Sequence, residues 1–223
     1  MPENKQTTPQ PDSTSASQVP SAAQIKKNKI TMLVLFSMFV APILFAVYIF
    51  NTNSSDNYVT KNRGNLINPA IELKNIELTY FENNKRYKLA DQEHQWLMVF
   101  IGAGECGGSC KRQLVVMRQT RLAQGGEFTR VNRLYVMLDK QSDQFMKEVK
   151  AYHPDMDIVT GSEQQLANVT EQFKLADKIK PGNSNRIYIV DPIGNLMMYY
   201  ELDAKAADIA KDLARLLKVS QMG

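Results

Sequence analysis

The two cysteines of the chain, Cys106 and Cys110, lie in one short window with the spacing C-x-x-x-C. Two cysteines this close cannot form a disulfide scaffold, so the pair indicates redox or metal chemistry. On a regular helix, residues i and i+4 share one face. Two thiols so placed can form a disulfide or, as thiolates, hold a soft ion such as Cu(I). The simpler alternative is two small apolar side chains in a turn, because isolated buried cysteines are usually inert.

The segment WLMVFIGAGECGGSCKRQL places this pair between an apolar strand and a helix. The first turn of a helix exposes unpaired N–H groups and a partial positive charge, which stabilise a thiolate there. Lys111 and Arg112 add to the positive field, and Glu105 opposes it. We therefore predict that Cys106 and Cys110 are a redox pair and candidate ligands for Cu(I).

Other motifs in the chain indicate less. Residues 102–107 match G-x-G-x-x-G after a strand, but Asp139 at the end of the next strand is rather far along for a dinucleotide fingerprint. No G-K-S/T follows these glycines, which excludes a P-loop. The chain has two histidines, and we predict that both His94 and His153 are surface residues rather than ligands. The net charge of +4 is mild, so we expect no basic face for nucleic acid and no nucleic-acid partner.

An apolar stretch, Ile30 to Phe50, runs 21 positions without a charge. A helix of about 20 apolar residues crosses the hydrocarbon core of a bilayer, and membrane helices tolerate an internal residue such as Pro42. A cleaved signal peptide would have a shorter apolar region and a small-residue cleavage site, whereas Tyr48 and its apolar neighbours follow here. The stretch therefore predicts a retained transmembrane helix over residues 30–50.

The flanks of this stretch predict its orientation. Lys26, Lys27 and Lys29 directly precede it, so the positive-inside rule places the N-terminus in the cytoplasm. We predict a disordered cytoplasmic tail over 1–29, a linker over 51–65 and an extracytoplasmic domain over 66–223. The expected location is the inner (plasma) membrane, with the domain in the periplasm, where disulfides persist.

Hydrophobic periodicity predicts an α/β domain after the linker. The run Trp96 to Ile101 suits a strand buried on both faces. The predicted elements are a hairpin (73–80 with 86–89), strand 96–101, helix 109–124, strand 133–139, helices 141–152 and 162–173, strands 186–190 and 196–200, and helix 204–218. The first strand–helix–strand unit implies a parallel pair, and the late hairpin adds antiparallel strands. We therefore expect a mixed sheet with flanking helices.

At this point the chain resembles the SCO/SenC family of membrane-anchored, thioredoxin-like copper chaperones for cytochrome c oxidase. The shared features are an N-terminal anchor, an apolar strand leading into C-x-x-x-C (96–110), a strand ending in Asp (134–139), and N-S-x-x-I-Y-x-V-D-P-x-G (183–194). The resemblance covers roughly residues 66–217. It implies a thioredoxin-like fold, copper as the bound metal, and respiratory oxidase subunits or copper proteins as partners.

The sequence departs from the family at one copper ligand. The family holds copper with two Cys and one His just before the late strand, and the matching position here is Asn183. Cu(I) prefers thiolate and imidazole to an amide. Two thiolates alone can hold Cu(I) in two-coordinate form, or another protein can supply a ligand. The pair also differs from the C-x-x-C of thioredoxins, and their cis-Pro before the late strand is missing.

The sequence is compatible with three functions, and it does not decide whether the protein is an enzyme. The first is an accessory factor of respiratory oxidase assembly that handles copper or thiol redox state through Cys106 and Cys110. The second is a general periplasmic thiol–disulfide oxidoreductase. The third is a non-catalytic thioredoxin-like domain. The C-x-x-x-C spacing favours the first over the second, and the missing His favours the second and third over a strict copper chaperone.

Overall fold

The computed structural model describes residues 22–52, 62–92 and 94–220. These residues belong to two compact units, the first helix and an α/β domain. Most of the predicted tail (1–29) and of the predicted linker (51–65) lies outside the described residues. The predicted boundaries of tail, linker and domain therefore stay predictions.

The first unit is a single helix, α1 (Ala22–Thr52), which contains the predicted apolar stretch. Its segment Ile25–Tyr48 has 24 residues, contains an 18-residue stretch with a mean hydropathy of 2.5, and is long and apolar enough to cross a membrane. The helix begins ahead of Ile30, because Ala, Gln and Lys are good helix formers. Pro42 lies inside it.

The second unit is built on one mixed sheet of eight strands, in the spatial order β1-β8-β7-β4-β5-β6-β2-β3. The strands are β1 (Asn65–Glu72), β2 (Glu77–Tyr80), β3 (Arg86–Lys88), β4 (Trp96–Gly102), β5 (Val131–Met137), β6 (Asp157–Thr160), β7 (Ile187–Val190) and β8 (Asn195–Tyr200). The helices are α2 (Gly108–Leu122), α3 (Asp143–Tyr152), α4 (Glu163–Gln172), α5 (Pro181–Ser184) and α6 (Ala206–Val219). This architecture confirms the predicted α/β class.

Strand β4 lies at the centre of the sheet and is the element that positions the cysteines. It pairs in parallel with β5, from Trp96 opposite Val131 to Gly102 opposite Met137, and antiparallel with β7. Helix α2 makes the crossover from β4 to β5, as the sequence predicts. The late hairpin of β7 and β8 is antiparallel, also as predicted.

Both faces of β4 are covered by helices, which explains its continuous apolar run. Successive side chains of a strand point to opposite faces. The side chains of one set pack with α2, α3 and α6: Trp96, Met98 and Phe100. The side chains of the other set pack with α4 and the β2–β3 hairpin: Leu97, Val99 and Ile101.

Two strands are absent from the sequence prediction, β1 and β6. Strand β6 has four residues, too few for a periodic pattern. Strand β1 is mostly exposed and contains Pro69, which is tolerated on an edge strand. It becomes a strand by pairing with β8, which lies more than 100 residues later in the sequence. A local residue pattern does not reveal such a pairing. The predicted first strand (73–80) was correct only in its second half, since Leu73 and Ile76 lie between β1 and β2.

A buried carboxylate joins the beginning of the domain to its last helix. Asp212 of α6 is 1% exposed. It accepts hydrogen bonds from the backbone N–H groups of Arg63 (2.6 Å) and Gly64 (3.1 Å) and from the hydroxyl of Tyr200 (3.1 Å). The chain entering the domain is therefore fixed against α6 and β8.

A second buried polar cluster lies where β5 meets the end of α3. The side chain of Arg133 is 0% exposed and donates to Asp155 at 2.5 Å, which also binds Arg121. Arg133 lies 3.3 Å from Nδ1 of His153. Burial and the charge of Arg133 lower the pKa of His153 to about 4. The prediction of a surface His153 is wrong, because the side chain completes this cluster, whereas His94 is exposed as predicted.

Candidate functional site

Cys106 and Cys110 lie where β4 leads into α2, at the carboxyl end of the central strand. Cys110 is in the first turn of α2, and Cys106 precedes the helix. The pair is therefore not an i, i+4 pair within a regular helix. Gly107 is the N-cap and has no side chain to cap the helix, so the first N–H groups of α2 remain available to polarise the sulfur atoms.

The two cysteines form a disulfide, with their Cα atoms 5.2 Å apart. This separation lies in the usual range for a disulfide. The two sulfurs differ in environment. Cys110 is only 8% exposed and packs within the core, while Cys106 is partly buried at its margin. A reactant from solvent therefore reaches Cys106 more easily than Cys110.

The loop before Cys106 is held by two side chains that follow β5. Gln141 accepts from the N–H of Cys106 at 2.9 Å and donates to the carbonyl of Gly104 at 2.7 Å. Asp139 accepts from the N–H of Gly104 at 2.6 Å. Gly104 has φ +66, which favours glycine. The segment that follows β5 therefore holds the backbone of the loop that follows β4, and with it the position of Cys106.

Helix α5 packs directly against the same loop. The N–H of Ala103 donates to the carbonyl of Gly182 at 3.1 Å, and a Cβ on Gly182 would lie only 2.9 Å from the Cβ of Ala103. Asn183, the next residue, is exposed. Buried Gln113 of α2 donates to the carbonyl of Asn185 at 2.5 Å. The segment that carries Asn183 is therefore fastened to the cysteine loop and to the cysteine helix.

Cys106 lines a groove between its own loop, α2 and α3. Lys111 of α2 crosses this groove and forms an ion pair with Glu148 of α3 at 3.0 Å. The hydrogen bond and charge of Lys111 lower the pKa of Glu148. Glu148 thus offsets the positive field that the sequence predicts from Lys111. The helix terminus and Arg112 remain as sources of positive potential near the pair.

A family model described as "Transmembrane-like, thioredoxin-like, C-terminal domain" matches residues 96–220, more than half of the chain. The chain belongs to this family. Its curated relatives include the mitochondrial SCO2 homologs of Mus musculus, 24% identical over 140 residues, and of Homo sapiens, 25% identical over 142 residues. These matches cover 56% of this chain, and 55% and 53% of the relatives. The chain therefore spans about half the length of the curated relatives it matches.

Solved structures of SCO proteins share the fold. Copper-bound ScoI of Bradyrhizobium japonicum has a TM-score of 0.52 at 18% identity and covers 63% of this chain and 96% of its own. Yeast Sco1 has a TM-score of 0.55 at 15% identity, with 65% and 96% covered. This SCO-like protein thus has the thioredoxin-like fold, which confirms the predicted resemblance and fold class.

The side chains at the site fit Cu(I) only as a two-thiolate pair. Among residues 22–52, 62–92 and 94–220, no three His, Cys, Asp or Glu side chains are grouped so that they could hold a metal ion. His94 precedes β4, at the opposite end of that strand from Cys106. Reduction of the disulfide would give two thiolates, a donor set suited to two-coordinate Cu(I).

The sequence alone does not predict that three further residues lie near the pair: Gln141, Gln113 and Tyr135. Their roles depend on contacts between segments far apart in sequence, and a single sequence carries no signal for them. Tyr135 of β5 is fully buried, with its hydroxyl 4.0 Å from Sγ of Cys110. Burial, and then the charge of Asp139, raise the pKa of Tyr135, so the hydroxyl keeps its proton.

Proposed function

We propose that this protein is a membrane-anchored accessory factor of respiratory cytochrome oxidase assembly, which handles copper or thiol redox state through Cys106 and Cys110. The observation that carries the proposal is the disulfide at the start of α2 in an SCO-like domain. Two relatives in fold support it by their descriptions. ScoI of Bradyrhizobium japonicum was solved with copper bound, and BsSco is described as a member of the Sco family of cytochrome c oxidase assembly proteins.

The anchor suits this role. Helix α1 would hold the domain at the inner (plasma) membrane, with the N-terminus in the cytoplasm and the domain in the periplasm. Lys26, Lys27 and Lys29 support this orientation. An anchored site has a high effective concentration near partners in the same membrane. Oxidase subunits and copper proteins are the partners we propose.

The thiol chemistry follows from the unequal exposure of the two sulfurs. In the reduced protein, the Cys106 thiolate attacks a disulfide in the partner, which forms a mixed disulfide and releases one partner thiolate. The Cys110 thiolate then attacks Sγ of Cys106, which closes the disulfide of the chain and releases the second partner thiolate. The partner gains two electrons and leaves with two cysteines able to take copper.

The copper chemistry uses the same reduced pair. Two thiolates would hold Cu(I) as cargo, and a third ligand on the partner would favour its departure. The absence of histidine at Asn183 supports a loosely held cargo rather than a resident metal.

The test is Cu(I) binding by the full chain in detergent, reduced and without oxygen, against a competing chelator. The control is the Cys106→Ser, Cys110→Ser double variant. We expect about one Cu(I) per chain that is lost in the double variant, or reduction of a copper-site peptide disulfide that needs the same cysteines. A wild-type protein that does neither better than the double variant would contradict the proposal and leave the general oxidoreductase and the non-catalytic domain as alternatives.

Asn183→His is expected to tighten Cu(I) binding by at least about tenfold, since even residues outside the ligand shell change metal affinity by about 10–100-fold. The reason is that α5 packs on the loop that precedes Cys106, through the hydrogen bond from Ala103 to Gly182, so we expect an imidazole at position 183 to come within reach of the pair. The measurement is the same chelator competition.

The control for the added imidazole is Asn168→His, an exposed position on α4. Helix α4 covers the other face of the sheet. Equal tightening in both variants would contradict a role for position 183.

A further inference from the structure

The hydroxyl of Tyr135 reaches the disulfide from inside the core. Tyr135 lies on β5, beside β4, and is 0% exposed. Its ring packs against Phe100 with the ring centroids 5.7 Å apart. A Cβ on Gly102 would lie 3.0 Å from the hydroxyl oxygen, so the glycine leaves the space that this hydroxyl occupies. Packing therefore holds the hydroxyl in one place, 4.0 Å from Sγ of Cys110.

This hydroxyl is poorly satisfied while the disulfide is closed. Within the described part of the chain, Sγ of Cys110 is its only hydrogen-bond partner. A disulfide sulfur is a weak acceptor, and 4.0 Å is a long contact. A thiolate is a much better acceptor, because hydrogen bonds to ionised groups are roughly twice as strong as neutral ones. Opening of the disulfide therefore gives the buried hydroxyl the partner that it lacks.

We propose that Tyr135 is a catalytic residue of the redox pair, whose hydroxyl donates a hydrogen bond to the Cys110 thiolate as the disulfide opens. The role rests on the proposed thiol chemistry of the same site and adds a residue to it. It also gives the two cysteines distinct parts. Cys106 is the sulfur that exchanges with the partner, and Cys110 is the leaving group, held by Tyr135.

The step balances as an ordinary dithiol exchange. A thiolate of a dithiol reductant attacks Sγ of Cys106, and the electron pair of the S–S bond leaves on Sγ of Cys110. The second thiolate of the reductant attacks its own sulfur in the mixed disulfide and releases Cys106. The reductant becomes a disulfide, the pair gains two electrons, and Tyr135 keeps its proton throughout.

The consequence is a reduced form that is stabilised relative to the disulfide, and hence a less negative reduction potential. The variant Tyr135→Phe removes only the hydroxyl and keeps the ring in its place. We expect the equilibrium constant for reduction to fall by about tenfold, which is a potential about 30 mV more negative for this two-electron couple. The rate of reduction by dithiothreitol should fall as well, because a poorer leaving group slows exchange.

The matched control is Tyr87→Phe. Tyr87 is 1% exposed, its hydroxyl has no hydrogen-bond partner among the described residues, and it lies in the core on the other face of the sheet. Its variant also loses one buried hydroxyl, so an effect of general destabilisation would appear in both proteins. We expect no change in potential or reduction rate in Tyr87→Phe.

The experiment uses the full chain in detergent, equilibrated with dithiothreitol of graded redox state, with melting temperatures as a check on folding. An unchanged potential in folded Tyr135→Phe would overturn the proposal, as would an equal shift in Tyr87→Phe. A shift confined to Tyr135→Phe supports it, even where the copper and partner-reduction tests fail. The donor role of Tyr135 and the proposed function can therefore fail separately.

Discussion

Cys110→Ser is expected to trap the protein on its partners as a mixed disulfide, whereas Cys106→Ser is expected to give no trapped species. The reason is access. Cys106 lies at the margin of the core and lines a groove, while Cys110 is 8% exposed. The thiol left in Cys110→Ser can therefore reach a partner, and no neighbouring thiol remains to resolve the product. The hydrogen bond proposed from Tyr135 would further lower the nucleophilicity of Cys110.

Alkylation of the two single variants measures this difference directly. In the folded protein we expect iodoacetamide to modify Cys110→Ser at least about tenfold faster than Cys106→Ser, since a buried thiol is inert. In urea the two rates should become equal, which controls for intrinsic reactivity. Equal rates in the folded protein, or a faster reaction of Cys106→Ser, would contradict the assigned order of attack.

Asp155→Ala is expected to destabilise the domain by about 3 kcal/mol. Asp155 accepts from Arg133, whose side chain is 0% exposed, and from Arg121. Its removal leaves a buried guanidinium without a carboxylate, which costs several kcal/mol in other proteins. We choose the lower end of that range because the Asp155 side chain is 44% exposed and water can partly replace it. The measurement is the free energy of unfolding in urea.

Arg133→Met is the informative companion to this variant. It removes the buried charge and fills the space with an apolar side chain, so we expect a loss of under about 1 kcal/mol. Glu72→Ala breaks an exposed ion pair with Lys74 and should change the free energy of unfolding by under about 0.5 kcal/mol. A loss in Arg133→Met as large as that in Asp155→Ala would show that the guanidinium itself stabilises the domain.

The sequence predicted those features whose cause is local. The run of β4 is apolar at every position because both of its faces are covered, and this pattern is visible without the fold. The C-x-x-x-C spacing and its place between a strand and a helix are local too. The structure joins Cys106 and Cys110 in a disulfide, one of the two forms that this spacing allows.

The missed features depend on segments that meet only in the folded chain. Strand β1 is exposed and carries Pro69, and it becomes a strand by pairing with β8. His153 directly follows α3, a position that is often exposed, but its side chain is buried beside Arg133 of β5. Gln141 contacts Cys106 from the segment that follows β5, and Tyr135 contacts Cys110 from the middle of β5. Packing at this range leaves no periodic signal in one sequence.

The hydrogen bonds of Asp212 determine when the domain can finish folding during synthesis. They join α6 to residues up to 149 positions earlier in the chain. Because synthesis proceeds at about 5–20 residues per second, the two ends can meet only roughly 7–30 s after the first has emerged. Contacts between residues so far apart in sequence form slowly during folding, because the chain loses conformational entropy when the loop closes and gains the contacts only afterwards. The domain therefore stays incomplete until Asp212 has been made, and a chain terminated before Asp212 lacks the hydrogen bonds that join α6 to Arg63 and Gly64.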